Sequence, residues 1–272
     1  MTIAILTGIE RIASAFTTAQ AEGRAALMPY FTAGFPDLAT SEEVLVAVAQ
    51  AGADLIELGV PFSDPLADGP VIQHSTQLAL ERGMTAGKCI DLVQRLRARG
   101  VTQPLVLMGY ANPIVAYGIT RYVTDVAAAG GDGLIVPDLP IEEADELEAA
   151  CAEAGLALIF LAAPTSPAER LAAIAARTTG FLYLVSLTGV TGAREALPDD
   201  LAAFVARARA VARTPLAVGF GIARPEQAAA VGQFADGVII GSALIKAVDT
   251  ATDPVAAASE FVRSMREGIG RR

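Results

Sequence analysis

Histidine, lysine, cysteine and tryptophan are almost missing from this 272-residue chain, which has one His, two Lys, two Cys and no Trp. Each scarcity excludes some chemistry. A structural zinc site needs clustered Cys and His. His74 stands alone, and Cys89 and Cys151 are far apart with no Cys-x-x-Cys pair, so no metal site is expected. A His-based triad has a single candidate histidine. Any Schiff-base mechanism must use Lys88 or Lys246. Two thiols fit a reduced compartment, and burial is the plain reading of both. Charge is sparse as well, 18% of residues with a net charge of −10. That balance lacks the basic footprint of a nucleic-acid binder. It leaves anionic small ligands open, because backbone amides bind phosphate without net charge. The most apolar stretch, residues 156–163, is far short of a bilayer span. The apolar N-terminus has neither a basic n-region nor a cleavage site, so a cytoplasmic protein off the membrane is expected.

What is present is apolar surface, 53% of the residues, enough for a large core. It comes in short runs bounded by Gly or Pro, the pattern of buried parallel strands. Eight strands are predicted, at 27–32, 55–59, 105–109, 133–136, 157–161, 181–186, 216–219 and 237–240. Ala-rich amphipathic stretches lie between them. Those at 41–50, 88–99, 121–129 and 141–154 each stop at or just before a glycine. Pro167 and Pro225 suit first-turn helix positions. No Ser/Gly/Pro-rich linker divides the chain. Eight βα units in roughly 250 residues predict one (β/α)8 barrel domain over 1–272. An extra helix over 8–20 is expected to cap its bottom. Gly52-Ala-Asp-Leu-Ile, Gly131-Asp-Gly-Leu-Ile and Ala235-Asp-Gly-Val-Ile echo one another before three strands. A shared helix-to-strand turn explains the echo better than a functional repeat.

Barrel active sites collect at the C-terminal ends of the strands. The second strand carries Glu57 in an otherwise apolar run, on the same face as Leu55. If that face looks into the barrel, burial raises the carboxyl pKa toward the range useful for acid–base work. The competing reading is a salt-bridged structural glutamate. Asp64 and Asp68 follow in a loop too long for a minimal βα turn. Both precede turn signals, and composition does not choose between them. Glycines gather after the last three strands, in Leu187-Thr-Gly-Val-Thr-Gly-Ala193, Gly219-Phe-Gly221 and Gly241-Ser242, the last opening a short helix. Loops at this end of a barrel, with a short extra helix, form a recurrent phosphate site. Tyr30, Tyr110, Tyr183 and Phe220 supply aromatic candidates for a pocket wall, against an ordinary core role. Asn112 and Asp138 have the plainer reading of satisfying turn amides. His74 reads as a helix-face residue.

The segment Glu57-Leu-Gly-Val-Pro-Phe-Ser-Asp-Pro-Leu-Ala-Asp68-Gly-Pro70 resembles the signature of the tryptophan synthase α subunit family. Pro29-Tyr-Phe-Thr-Ala-Gly-Phe-Pro36, Tyr110-Ala-Asn-Pro113, Gly189-Val-Thr-Gly192, Gly219-Phe-Gly221 and Gly241-Ser242 fit in the same order, across essentially the whole chain. The resemblance implies cleavage of indole-3-glycerol phosphate to indole and glyceraldehyde 3-phosphate. It makes Glu57 the general acid–base and Asp68 the partner of the indole N–H. It assigns phosphate binding to Gly192, Gly221, Gly241 and Ser242. Tyr183 would support Glu57, Tyr30, Tyr110 and Phe220 would flank the indole, and Thr191 would help close the site over Asp68. Tyr30 stands where the family has Phe, and Leu187 where it often has Arg. The implied assembly is αββα, with pyridoxal phosphate confined to the β subunit and no cofactor in this chain. Two alternatives remain: another phosphate-binding barrel enzyme, or a weakly active subunit that mainly activates a β partner. A barrel synthase that forms indole-glycerol phosphate would need a lysine at a strand end, and none is present. The absence of tryptophan fits a chain needed when that amino acid is scarce.

Overall fold

The computed structural model describes residues 6–186, 200–219 and 221–270. In chain order the elements are α1 (Gly8–Ala21), β1 (Ala26–Thr32), α2 (Leu38–Gln50), β2 (Ile56–Gly59), α3 (Pro70–Glu81), α4 (Ala86–Ala98), β3 (Leu105–Met108), α5 (Ala111–Tyr117), α6 (Ile119–Ala129) and β4 (Gly133–Ile135). After a 3-10 turn at Ile141–Glu143 come α7 (Asp145–Ala154), β5 (Ala157–Ile159), β6 (Leu161–Ala162), α8 (Ala168–Arg177), β7 (Leu182–Val185), α9 (Leu201–Arg209), β8 (Leu216–Gly219), α10 (Pro225–Gly232), β9 (Gly237–Ile240), α11 (Ser242–Asp249) and α12 (Pro254–Ile269). The strands pair in parallel in the order β5-β4-β3-β2-β1-β9-β8-β7-β6. The two ends of that order are consecutive in the chain, so the sheet curls into the expected (β/α)8 barrel. Its strands are buried on both faces, which is why they read as unbroken apolar runs.

Three local differences from the sequence reading have physical reasons. The fifth predicted strand is split at Phe160. Its first half pairs only with β4 and its second only with β7, so the pairing partner changes where the barrel closes. The predicted helix at 141–154 begins as a 3-10 turn, a common way to tighten a helix start. Helix α5 occupies a segment read as a turn. Its Pro113 is the third residue, where no intrahelical N–H bond is needed.

Helix α1 closes the bottom of the barrel. The Phe16 and Phe181 rings lie 5.8 Å apart there, and Arg11 pairs with Asp132 at 2.9 Å. The repeated Asp motif belongs to this end and is structural. The carboxylates of Asp54, Asp132 and Asp236 accept the backbone N–H groups of Leu27, Leu105 and Leu216 at 2.7, 2.7 and 2.8 Å. Each aspartate's own N–H returns a bond to the same leucine's carbonyl. Thr179 and Leu158 make the equivalent exchange, with a hydroxyl in place of the carboxylate. Arginines saturate the carboxylates: Arg24 and Arg266 on Asp54, Arg97 and Arg11 on Asp132, Arg209 on Asp236. Asp132 is the most enclosed of the three. Asp132→Ala takes the counter-charge from Arg97 and the side-chain acceptor from the Leu105 N–H, so unfolding in urea should show a loss of about 3 kcal/mol. An unchanged urea midpoint would remove this clamp from the stability of the fold.

Candidate active site

Strand β2 places Glu57 in register with Tyr30 on β1 and Val106 on β3. Glu57 is wholly buried, and neither carboxyl oxygen has a hydrogen-bond partner among the described residues. The salt-bridged structural reading therefore fails. Burial alone pushes this carboxyl well above the usual carboxylate range, because an unpaired buried charge has lost its hydration. That burial favours the protonated form of Glu57, the form that can act as an acid.

The loop after β2 separates its two aspartates. Asp64 is exposed and takes a 2.5 Å bond from the Ser63 hydroxyl. Asp68 is 7% exposed and shares a cavity with Glu57. The Tyr110 phenol donates to Asp68 Oδ2 at 2.9 Å and accepts the Ala67 N–H at 3.1 Å. Gln73, on the first turns of α3, donates to the Asp68 carbonyl at 2.8 Å. Burial raises the Asp68 carboxyl to about 6, with the Tyr110 bond pulling the other way. The Tyr110 ring packs on Phe62, centroids 5.3 Å apart, and it is not part of the cavity wall. It touches the site through Asp68, a contact that strand-end position alone does not reveal.

The cavity opens at the C-terminal ends of the strands. Tyr30, Tyr183, Met108 and Ile239 make it largely apolar, with Glu57 and Asp68 reaching in. Two strand-end glycines make room for the tyrosines. A Cβ at Gly59 would lie 2.1 Å from the Tyr30 hydroxyl oxygen, and one at Gly219 2.3 Å from that of Tyr183. The far side of the cavity is formed by Gly221, Gly241 and Ser242. The first intrahelical bond of α11 runs from Ile245 N to Gly241 O, and Gly241 brings no capping side chain. The amides of Ser242, Ala243 and Leu244 thus lack intrahelical acceptors and face a site suited to an anion.

Of the site residues predicted from sequence, the structure gathers Tyr30, Glu57, Asp68, Tyr183, Gly221, Gly241 and Ser242 around one cavity. Leu187, Gly189, Thr191, Gly192 and Phe220 lie outside the described residues. Asp138 accepts the N–H of Ala111 at 3.0 Å, an amide at the start of α5 rather than one in a turn. His74, Lys88 and Lys246 are exposed and off the cavity, and Lys88 donates to the Gly83 carbonyl. Cys89 and Cys151 are buried free thiols, each pushed up to about 12 by burial. Among the described residues no group of three His, Cys, Asp or Glu side chains gathers to hold a metal ion, and no helix is long and apolar enough to cross a membrane. Ile72 and Met108 are wall residues that sequence reasoning did not single out. Met108 was findable, since it ends β3 as Gly59 ends β2. The arrangement can protonate a bound planar ring, offset the resulting positive charge with Asp68, and hold an anionic tail at α11.

The family model for the tryptophan synthase alpha chain matches residues 16–269. A tryptophan synthase alpha chain from Chloroflexus aurantiacus is 50% identical over 265 residues, covering 97% of this chain and all of that one. One from Roseiflexus castenholzii is 51% identical over 260 residues, 95% of this chain and all of the relative. Among solved structures, a chain of Mycobacterium tuberculosis tryptophan synthase superposes with a TM-score of 0.90 at 38% identity, covering 98% of this chain and 100% of its own. The tryptophan synthase subunit alpha of Legionella pneumophila gives 0.89 at 39% identity, covering 95% and 98%.

Proposed function

The chain belongs to the tryptophan synthase alpha chain family, and from that premise we propose how its cavity works as a carbon–carbon lyase. The reaction is the alpha reaction of tryptophan biosynthesis, cleavage of indole-3-glycerol phosphate to indole and D-glyceraldehyde 3-phosphate. One observation carries the assignment of roles: a buried, unpartnered carboxyl and a second raised carboxyl share one apolar cavity.

Breaking the bond between indole C3 and the glycerol chain needs an electron sink. Glu57, protonated in its buried setting, delivers its proton to C3. The ring becomes an iminium-like cation whose N–H faces the Asp68 carboxylate, and a fixed anion there lowers the energy of that charge. The Glu57 carboxylate then takes the proton of the glycerol hydroxyl. The oxygen's electrons form the aldehyde carbonyl, the carbon–carbon bond breaks, and its pair restores the aromatic indole. Proton and charge return to their starting places, so the ring itself replaces a lysine imine or a metal as the sink.

The phosphate sits at the α11 N-terminus on the amides of Gly241 and Ser242, with Gly221 alongside; Gly192 joins its binding only as the family resemblance implies. Tyr30 and Phe220 flank the indole, Tyr183 supports Glu57, and Tyr110 acts by orienting Asp68. By the family resemblance, Thr191 would help close the site over Asp68. The chain, working as one barrel domain over 1–272 in the cytoplasm, carries no cofactor of its own. Pyridoxal phosphate belongs to the β subunit of an αββα complex, which takes up the indole. The Leu66 and Val115 side chains, 83% and 61% exposed near the mouth, suit that partner. The test is release of indole from indole-3-glycerol phosphate, measured with and without a β subunit. Release in at least one condition is expected, and none in either sinks the lyase reading.

A further inference from the structure

Glu57 and Asp68 sit on different elements. Glu57 is fixed in the sheet by β1 and β3, whereas Asp68 precedes α3 and is held to it by Gln73. Something must hold α3 at a set depth against the sheet. A row of buried hydroxyls runs between the two. Thr32 Oγ1, at the end of β1, lies 2.7 Å from Ser75 Oγ on α3, and both residues are fully buried. The Tyr30 hydroxyl lies 3.5 Å from Thr32 Oγ1. Ser75 Oγ donates to the Ile72 carbonyl at 2.9 Å. That last bond sets the direction of the row. Ser75 has one proton and gives it to a carbonyl, so Thr32 must donate to Ser75, and Tyr30 to Thr32. The neighbouring contacts of α3 through Ile72 and Ala79 are apolar and non-directional. The hydroxyl pair is directional, and in a dry interior an unmade bond there is costly.

We propose that Thr32 and Ser75 are positioning residues: their buried bond fixes α3, and with it Asp68, against the strand pair that carries Tyr30 and Glu57. This rests on the lyase reading above. The substrate never meets either hydroxyl; they act by keeping Asp68 at the indole nitrogen while Glu57 stays at C3.

The test measures kcat and KM for indole release in Thr32→Val, Thr32→Ser, Ser75→Ala and the Thr32→Val/Ser75→Ala double variant. Thr32→Val should lower kcat about tenfold with KM within about threefold, because small misplacements are felt in the transition state. Thr32→Ser keeps the hydroxyl and should stay within about twofold of the wild type. The double variant should be no worse than the poorer single one, since both remove the same bond. Wild-type kcat in Thr32→Val, whatever its thermal midpoint, overturns the proposal and leaves the lyase intact. So does a Thr32→Ser variant as impaired as Thr32→Val, or single effects that multiply. If Thr32→Val fails to fold, Ser75→Ala is read by the same kcat criterion. A wild type that releases no indole removes both readings.

Discussion

Replacing Glu57 by glutamine should lower indole release by about a thousandfold or more, while the barrel remains folded. A positioned general acid–base supplies roughly 10²–10⁴ in rate, and here one carboxyl serves two proton transfers. Glutamine keeps the shape and cannot give up a proton to carbon. The change should also stabilise the protein at alkaline pH. Burial raises the Glu57 pKa in the folded state. Above the ordinary carboxylate range the unfolded chain is therefore the more ionised form. Wild-type stability falls as pH rises from there through the raised value. Glu57→Gln removes that slope. Thermal midpoints at pH 5 and pH 8 should show the variant gaining on the wild type as pH increases. Full turnover by Glu57→Gln would remove Glu57 from the mechanism, whatever the midpoints do.

Asp68→Asn should lower kcat/KM for indole-3-glycerol phosphate by about a hundredfold, the scale of losing one charge aimed at a transition state. Asp64→Asn should change it by less than about twofold, because Asp64 is exposed and bonded only locally. The pair is a sharp comparison, since both aspartates lie in one loop and both precede turn signals. A damaging Asp64→Asn with a harmless Asp68→Asn would reverse the assignment. The pH profile offers an independent check. Asp68 must be ionised to offset a cationic ring, and its carboxyl titrates at about 6. Activity should therefore fall as pH drops through about 6. On the alkaline side it should fall as Glu57 loses its proton. A profile flat from pH 5 to pH 7 would contradict the Asp68 role.

The sequence by itself determined the architecture. Strands buried on both faces must be apolar throughout, and helices covering them must end in Gly or a similar stop. Eight alternations of those signals leave few folds besides a barrel. It also determined which side chains could do chemistry, because so few His, Lys and Cys residues exist, and the Glu57–Pro70 segment is specific enough to name a family. Local pattern could not say which way Glu57 faces, since strand alternation defines two faces without saying which is inside. Nor could it separate Asp68 from Asp64. That difference is one of burial, set by helix α3 and by a phenol 42 residues away in sequence. The roles of Tyr110, Thr32 and Ser75 are likewise tertiary. A hydroxyl in a strand is an ordinary polar residue until folding removes its water and sets it against a partner on another element of the chain.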